Sequence, residues 1–288
     1  MRKTFLFCAS ILLSACVTTR EDINLKFDGI RTNAIFQKGV VEKDVPLQKT
    51  PAVVLIHTFG GWQDQTTPPL ASALNKAGIS TLEMRYFKDE RGQIPAPALA
   101  STVFGALQYL ASRPDINPDA IGIGGFSFGA NLSLMAASEK FTKQWGGGFK
   151  YAAHAPIYPP CWLNSQIMQG KRTISGMGYV VFDEQAFEKW NGSPIKIFAA
   201  ELDDYDDRDP DACADLVSKL SPSVQRNFDI KVYKGATHGW NLPWDLTFYV
   251  PYACKGKGCD NRMLRNPAVK DENIRDVTEF FKRTLVSK

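Results

Sequence analysis

Ser127, in the segment Gly125-Phe126-Ser127-Phe128-Gly129, is the residue of this sequence best suited to nucleophilic chemistry. A short strand rich in isoleucine and glycine is predicted before it, and a helix after it. A serine in a sharp turn between a strand and a helix presents its hydroxyl above the sheet, and flanking glycines let the backbone crowd together there. Because a Gly-x-Ser-x-Gly string alone is common by chance, the prediction of a nucleophile depends on this context. The alternative is a structural glycine-rich turn.

A serine hydroxyl is a weak nucleophile unless a base accepts its proton. The sequence has three histidines, at positions 57, 154 and 238. His57 ends the first clear core strand, ahead of the serine, and His154 lies within an apolar strand, where a buried structural histidine is expected. His238 lies in a loop directly after the last predicted strand. Where a nucleophilic serine occupies such a turn, the chain order is serine, acid and then histidine, which selects His238 as the base.

The acid that orients this histidine is expected in the loop after the predicted strand at 195–200. Asp203 comes soon after that strand, which suits a carboxylate at the rim of the sheet, whereas Asp204 should point away. The alternatives are a solvated acidic loop and a calcium site built on Asp204, Asp206 and Asp209. An EF-hand loop needs a glycine at its sixth position and a glutamate at its twelfth, and this loop has neither in register. The sequence therefore predicts no metal, and it implies no organic cofactor.

Strand-like and helix-like segments alternate along most of the chain. Continuous β-branched runs predict buried strands, and apolar residues at helical spacing predict helices. The alternation predicts a single α/β domain with a mainly parallel central sheet and helices on both faces. The stretch 159–192 does not fit and is predicted to be an irregular insert before the acid strand. Strands are predicted at 24–41, 52–56, 79–85, 121–126, 151–157, 195–200 and 229–233, and helices at 68–78, 95–113, 131–138, 211–220 and 272–285.

The charge balance argues against a nucleic-acid partner. The formal net charge is only +4, and the basic residues form no long run or cluster of the kind that binds a phosphate backbone. Hydrophobic residues make up 44% of the chain, which is enough for a large buried core.

The first residues are predicted to be an export signal. Arg2 and Lys3 precede an apolar stretch, 5–15, that is too short to span a bilayer as a helix. The stretch ends in Leu13-Ser14-Ala15-Cys16, which resembles the lipobox of bacterial lipoproteins, in which the peptide is cut before the cysteine and the thiol is lipidated. The sequence thus predicts a signal peptide at 1–15, a lipidated tether at 16–23 and a catalytic domain at 24–288. The alternative is an ordinary signal peptide with an incidental cysteine.

A lipidated Cys16 predicts a membrane-anchored protein of the bacterial cell envelope, facing the periplasm or at the cell surface. Val17 follows the cysteine where an aspartate would favour retention in the inner membrane. The outer membrane is therefore expected if the host is Gram-negative.

Several segments taken together resemble the dienelactone hydrolase family. They are the nucleophile motif, the run Glu201-Leu202-Asp203-Asp204-Tyr205, Cys213 and the run Tyr233-Lys234-Gly235-Ala236-Thr237-His238. The order and character of the elements agree from about residue 51 to the C-terminal helix. The resemblance implies an α/β-hydrolase fold and hydrolysis of a small carboxylic ester through an acyl-enzyme. It carries over Ser127, Asp203 and His238 as the catalytic triad, with the backbone N–H groups of Phe59 and Phe128 as the oxyanion hole and Thr58 as an alternative donor.

The sequence departs from this family at two positions. The enzymes that give the family its name use cysteine as nucleophile where this chain has Ser127, so activity on dienelactone is not carried over. The usual His-Gly pair at the oxyanion strand is His57-Thr58 here. An amide or peptide hydrolase on the same triad, and a non-catalytic surface lipoprotein that keeps the fold, are the alternative functions.

The resemblance also suggests substrate contacts. Arg85 and Arg91 lie near the place where relatives have a substrate-contacting arginine, and the alternative for both is surface salt bridging. Trp162, in the insert, and Trp240, after the predicted base, are further candidates for substrate contact. The insert forms either a lid with an acyl pocket or a packed hydrophobic cover.

Four cysteines remain outside the export segment, and an even number in an exported protein predicts two disulfides. A zinc site is a poorer prediction because the sequence has no Cys-x-x-Cys pair. Cys254 and Cys259 are close in sequence and are predicted to pair. Cys161 and Cys213 fall where members of the wider family often have cysteines, and their bond would hold the insert beside the acid loop.

Overall fold

A computed structural model describes residues 20–40, 49–86, 96–171, 173–175, 178–180 and 184–286. The strands are β1 Arg20–Phe27, β2 Ile30–Gln37, β3 Thr50–Ile56, β4 Ser80–Arg85, β5 Ile116–Phe126, β6 Ala153–Ile157, β7 Thr173–Ser175, β8 Gly178–Val180, β9 Ile195–Ala200, β10 Phe228–Tyr233, β11 Leu246–Val250 and β12 Cys259–Met263. The helices are α1 Thr67–Lys76, α2 Ala96–Ser112, α3 Phe128–Met135, α4 Glu139–Trp145, α5 Cys161–Met168, α6 Ala212–Ser218, α7 Pro222–Gln225, α8 Ala253–Gly256 and α9 Pro267–Phe281.

The central sheet has eight strands in the order β1-β2-β4-β3-β5-β6-β9-β10. The strands from β4 to β10 in this order pair in parallel, whereas β2 is antiparallel to both β4 and β1. Parallel pairing requires crossover connections, and helices supply most of them. The carboxyl ends of the parallel strands therefore share one edge, where the predicted catalytic residues follow β5, β9 and β10.

Hydrophobic cores lie on both faces of the sheet, as strand β3 shows. Val54 and Ile56 pack with α2 in one core, whereas Val53 and Leu55 pack with α1 and α9 in the other. Strands covered on both faces are continuously apolar, which is why this run was recognisable in the sequence. The predicted mainly parallel sheet with helices on both faces is confirmed.

Several boundaries differ from the prediction. Helix α3 begins directly after Ser127 instead of at 131. Helix α9 begins at Pro267 instead of 272, because the Asn266 side chain caps it by accepting the N–H of Val269 at 3.2 Å. The predicted insert contains α5 and a small β7–β8 ribbon. Helix α4 and the antiparallel hairpin of β11 and β12 were not predicted.

Within the described parts of the chain, no helix combines the length and the apolar character needed to cross a membrane. Residues 1–19, including Cys16, lie outside the described residues, so the predicted export signal and lipid tether remain predictions.

Candidate active site

Ser127 occupies a tight turn between β5 and α3. Its φ of 52° and ψ of −104° lie in a region that L-residues rarely adopt. A Cβ added to Gly125 would lie 2.4 Å from the carbonyl carbon of Gly129, and one added to Gly129 would lie 2.3 Å from the Ile56 carbonyl oxygen. The flanking glycines are therefore required by close backbone approach, as the sequence predicted for a nucleophile turn.

Ser127, His238 and Asp203 form one continuous hydrogen-bonded chain. The distance from His238 Nε2 to Ser127 Oγ is 2.7 Å, and that from His238 Nδ1 to Asp203 Oδ2 is also 2.7 Å. The other oxygen of Asp203, Oδ1, accepts the Tyr205 N–H at 2.9 Å. Asp203 and His238 are buried. The structure thus brings together the three residues predicted as nucleophile, base and acid in a spacing that permits proton transfer.

Two tyrosine rings hold the His238 imidazole in place. The Tyr158 and Tyr205 rings contact it edge-on, with centroid distances of 4.9 and 4.6 Å. The Tyr158 hydroxyl donates to Asn241 Oδ1 at 2.5 Å. Burial raises the pKa of both tyrosines well above the ordinary value, so both hydroxyls stay neutral near the triad. Sequence reasoning missed these residues, although Tyr158 directly follows β6 and Tyr205 lies two positions after the acid.

The other two histidines are structural. His57 Nε2 accepts the Tyr86 N–H at 3.0 Å, and its Nδ1 lies 2.6 Å from the Thr58 carbonyl oxygen. His154 is fully buried, and its Nδ1 lies 2.9 Å from the Ser133 carbonyl oxygen. Burial lowers the pKa of each to about 4, which keeps both neutral. The structural role expected for His154 is confirmed.

The neighbours of Asp203 bind protein donors instead of a common ion. Asp204 is buried and forms ion pairs with Arg208 at 2.8 Å and Arg262 at 3.2 Å, and these cations lower its pKa despite its burial. Asp209 pairs with Lys255 at 2.6 Å. Among the described residues, the calcium ligands considered from the sequence do not form a cluster with the spacing of metal ligands.

Asp206 connects the acid loop to the insert. Its carboxylate accepts the N–H of Cys161 at 3.0 Å and that of Trp162 at 2.7 Å, at the start of α5. Burial and the nearby Asp203 carboxylate raise the pKa of Asp206. Cys161 forms a disulfide with Cys213 in α6, beside this carboxylate. The insert is therefore attached to the acid loop by two hydrogen bonds and to α6, the helix after that loop, by one covalent bond.

Both predicted disulfides, Cys161–Cys213 and Cys254–Cys259, are confirmed. The second closes the loop between β11 and β12. Because the paired sulfurs of Cys161 and Cys213 carry no thiolate, their proximity to Asp206 does not make a metal site.

The segment after β3 lies against the nucleophile turn. The rings of Phe59 and Phe128 are in edge-to-face contact, with 6.2 Å between their centroids. These are the two residues predicted to donate their backbone N–H groups to the oxyanion. Thr58, Phe59 and Gly60 line the same cleft as Ser127. The predicted donor segments are therefore adjacent to the nucleophile.

Asp64, which sequence reasoning missed, fixes the shape of this segment. Its carboxylate accepts a hydrogen bond from the Thr58 hydroxyl, which in turn accepts the Gly60 N–H at 3.1 Å. A Cβ on Gly60 would lie 2.2 Å from an Asp64 carboxylate oxygen, so the glycine is required by this contact. The Thr58 hydroxyl therefore holds the conformation of this segment.

Ser127 lies in a cleft of about 310 Å³. The lining residues come from the segment after β3, from Ser127 and His238, from the two tyrosines beside His238, from the loop that leads to β11 and from the β11–β12 hairpin. They are Thr58, Phe59, Gly60, Asp64, Ser127, Tyr158, Tyr205, His238, Gly239, Leu242, Trp244, Leu246, Phe248, Tyr252 and Met263.

Three of the four predicted substrate contacts, Arg85, Trp162 and Trp240, are not part of this lining. The Arg85 guanidinium lies over the Trp62 ring at 4.6 Å and 3.7 Å from Asp22, which agrees with the surface salt bridge considered as its alternative. Trp162 lies against Gly256 and does not line the cleft. Trp240 is buried, because Gly239 adopts a φ of 70° and turns the chain so that the next ring packs against Tyr158 in the core. Arg91 lies outside the described residues.

Residues 38–285 match the dienelactone hydrolase family. The chain belongs to this family. Most of its length is covered, and the family resemblance stated from the sequence is confirmed. Dienelactones are cyclic esters, and this member of the family is a carboxylic ester hydrolase. A search of curated proteins gives no significant match.

Solved structures of esterases and other α/β hydrolases share the fold. Est1E from Butyrivibrio proteoclasticus is 14% identical, with 93% of this chain and 99% of that chain covered and a TM-score of 0.61. Thermogutta terrifontis esterase 2, solved phosphoramylated by tabun, is 12% identical, with 91% and 93% covered and a TM-score of 0.62. MGS-M1, an α/β hydrolase from a Medee basin deep-sea metagenome library, is 17% identical, with 93% and 99% covered and a TM-score of 0.63. The predicted α/β-hydrolase fold is confirmed.

Proposed function

We propose that this member of the dienelactone hydrolase family cleaves carboxylic esters through an acyl-enzyme, with Ser127 as nucleophile, His238 as general base and acid, and Asp203 as the orienting carboxylate. The observation that carries the proposal is the chain of two 2.7 Å hydrogen bonds that joins these side chains, with Ser127 and His238 in the lining of a cleft.

The geometry suits each proton transfer of such a reaction. As Ser127 Oγ attacks the ester carbonyl, His238 Nε2 takes its proton, while Nδ1–H donates to Asp203 and the carboxylate stabilises the imidazolium. The same Nε2–H then protonates the leaving alcohol. A water molecule, deprotonated by His238, attacks the acyl-enzyme, and the proton returns to Ser127 as the carboxylic acid leaves.

The oxyanion of each tetrahedral intermediate needs backbone donors on the side of the serine away from His238. The N–H groups of Phe59 and Phe128 are assigned this role because the two segments contact each other beside Ser127. Asp64 and Thr58 hold the first of these segments in shape before substrate arrives, and one preorganised oxyanion donor is typically worth about 3 kcal/mol of transition-state stabilisation.

Labelling with a fluorophosphonate probe tests the nucleophile. The probe should add one phosphonyl group to the wild-type protein, located by peptide mass mapping at Ser127. Ser127→Ala should abolish labelling and p-nitrophenyl butyrate turnover while keeping the wild-type circular dichroism spectrum. Ser133→Ala, a control in the same helix with its hydroxyl bonded to the Ile123 carbonyl, should keep both. A Ser127→Ala protein that still labels and turns over would refute the assignment.

Ester and amide substrates separate the first alternative function. Turnover of p-nitrophenyl acetate and butyrate without turnover of peptide anilides is expected for an esterase. Turnover of the anilides at a similar rate would favour a peptide hydrolase on the same triad. A folded protein that neither labels nor turns over would instead favour the non-catalytic lipoprotein.

We also propose that Cys16 anchors the protein to the membrane of a bacterial cell envelope through a lipid. The lipobox-like sequence supports this, and disulfides are typical of proteins exported to an oxidising compartment. Cys16→Ser should abolish palmitate incorporation, whereas the control Cys8→Ser, within the apolar stretch, should not. Wild-type protein without lipid mass on its N-terminus and found wholly in the soluble fraction would refute the anchor.

A further inference from the structure

The β11–β12 hairpin and the loop that leads into it expose large apolar side chains beside the cleft. Trp244 is 41% exposed, Leu246 39% and Phe248 44%, and all three line the cleft that holds Ser127. Exposed apolar side chains scattered singly need no explanation, but a contiguous set at the mouth of a site indicates what the site binds. We call Trp244, Leu246 and Phe248 the apolar collar.

Successive side chains of β11 lie on opposite faces of the hairpin. Leu246 and Phe248, two positions apart, both line the cleft, as the side-chain period of a strand requires. Tyr249, which lies between Phe248 and Val250, is 63% exposed and does not line the cleft. The same strand thus offers a residue of each face for comparison.

The hairpin is fixed to the catalytic loop. The Cys254–Cys259 disulfide closes its end. On β12, the Arg262 N–H donates to the buried Asp204 carboxylate at 2.9 Å, one residue from the proposed catalytic Asp203. A wall fastened in this way positions the collar relative to Ser127 before substrate binds, which reduces the entropy lost on binding.

We propose that the substrate is an ester with a large apolar acyl or alcohol group, an aryl ring or a chain of several carbons, which packs against the apolar collar while the ester carbonyl lies at Ser127. This inference rests on the proposed function.

A lipid bilayer is the other apolar partner that such a collar suggests, and the topology disfavours it. Arg20, where β1 begins, pairs with Gln37, and Gln37 pairs with Thr81 near the amino end of β4. The chain therefore enters the sheet toward the amino ends of its parallel strands, whereas the collar lies at their carboxyl ends. A tether from Cys16 to Arg20 spans at most about 14 Å and would hold the membrane near the opposite side of the sheet.

The test is a chain-length series on the purified protein. Values of kcat/KM are measured for p-nitrophenyl esters from acetate to octanoate and for acetate esters of alcohols from methyl to naphthyl, all below their critical micelle concentrations. In one series at least, kcat/KM should rise about two- to fourfold per CH2 group until the collar is filled, since burying a CH2 group in a partly open site is worth up to that factor. Phe248→Ala should flatten that rise, and the matched control Tyr249→Ala should not.

Fluorophosphonate titration before each assay separates failure of this inference from failure of the proposed function. A protein that labels at Ser127 but shows flat values in both series, or equal slopes in Phe248→Ala and wild type, overturns the inference alone. A rate that rises only above the critical micelle concentration overturns it in favour of a lipid surface.

Discussion

Replacing Asp203 by asparagine should place the His238 proton on the wrong nitrogen. In the wild-type protein, Asp203 accepts two hydrogen bonds, from the Tyr205 N–H at 2.9 Å and from His238 Nδ1 at 2.7 Å. In the variant, the Tyr205 N–H requires the amide oxygen, so the amide NH2 group faces Nδ1. Nδ1 must then accept, and the proton moves to Nε2, which lies 2.7 Å from Ser127 Oγ and can no longer take its proton.

The size of the decrease in kcat follows from the free energy needed to restore the productive tautomer of His238. Turning the amide over would bring its NH2 group against the Tyr205 N–H, and a buried donor left without a partner costs about 1–3 kcal/mol. The carboxylate that stabilises the imidazolium during the reaction is also gone. Together these effects should lower kcat by about 10²–10⁴, as in triads where the acid fixes the histidine tautomer, which corresponds to about 3–5 kcal/mol.

The assay is kcat for p-nitrophenyl butyrate, per folded protein measured by circular dichroism. Asp204→Asn and Asp206→Asn are the controls from the same turn, and each should lower kcat less than tenfold, because their carboxylates bind Arg262 and the start of α5 instead of His238. If either control lost more activity than Asp203→Asn, or if Asp203→Asn kept more than a tenth of the wild-type kcat, the assignment of the acid would be refuted.

Breaking the Cys161–Cys213 bond, which closes a separation of 52 residues, should lower both Tm and kcat, since the bond ties α5 to the helix that follows the acid loop. Its chain-entropy contribution is about 4 kcal/mol. Thermal melting and p-nitrophenyl butyrate turnover check this, with Cys161→Ser and wild type under reductant each compared with untreated wild type. As the pH falls from 7.5 to 5, the free energy of unfolding should decrease by about 2 kcal/mol for each of His57 and His154. Their folded pKa of about 4 keeps them neutral in this range, whereas the unfolded histidines take up protons below about pH 6.5. Urea titrations that give a flat profile over this range would contradict the prediction. Gly129→Ala should yield little folded protein, as judged by soluble yield and circular dichroism, since its Cβ would meet the Ile56 carbonyl oxygen at 2.3 Å.

The positions of the proposed triad were predictable because each member is tied to a local pattern. Close backbone contacts require glycine on both sides of the Ser127 turn, so the residue type at these two positions indicates the turn. The acid and the base each follow an apolar strand in the expected order. Parallel strands bring these loops to one edge of the sheet, so chain order was enough to predict the meeting of Ser127, Asp203 and His238.

The wall of the cleft was not predictable in the same way. Strand β11 has four exposed residues in a row, so it lacks the apolar and polar alternation that marks a half-buried strand. Its partner β12, with the sequence Cys-Asp-Asn-Arg-Met, has weak strand preference and is held by pairing and by the bond from Arg262 to Asp204. Tertiary contacts, not local sequence, make this hairpin.

Nearness in sequence to a catalytic residue was also a poor guide to substrate contact. Trp240 lies two positions after His238, but the φ of 70° at Gly239 turns the next ring into the core. Arg85 ends a strand at the correct edge of the sheet, but the sheet continues past it through β2 and β1, where Asp22 supplies a partner. In both cases the direction in which the side chain points, and not its position in the sequence, decides whether it lines the cleft.

The acidic run after β9 shows why residue type alone left alternatives open. Asp203, Asp204 and Asp206 are buried within a single short turn, and three neighbouring carboxylates would repel each other unless each had its own partners. The turn resolves this by sending the carboxylates in different directions, to His238, to Arg262 on the hairpin and to the start of α5. One turn thus joins the proposed base, the wall that carries the apolar collar and the disulfide-bonded insert. A run whose composition suggests a solvated loop or a calcium site is thus the place where the base, the hairpin and the insert are connected. Substitutions in it should therefore affect stability at three positions but proton transfer at only one.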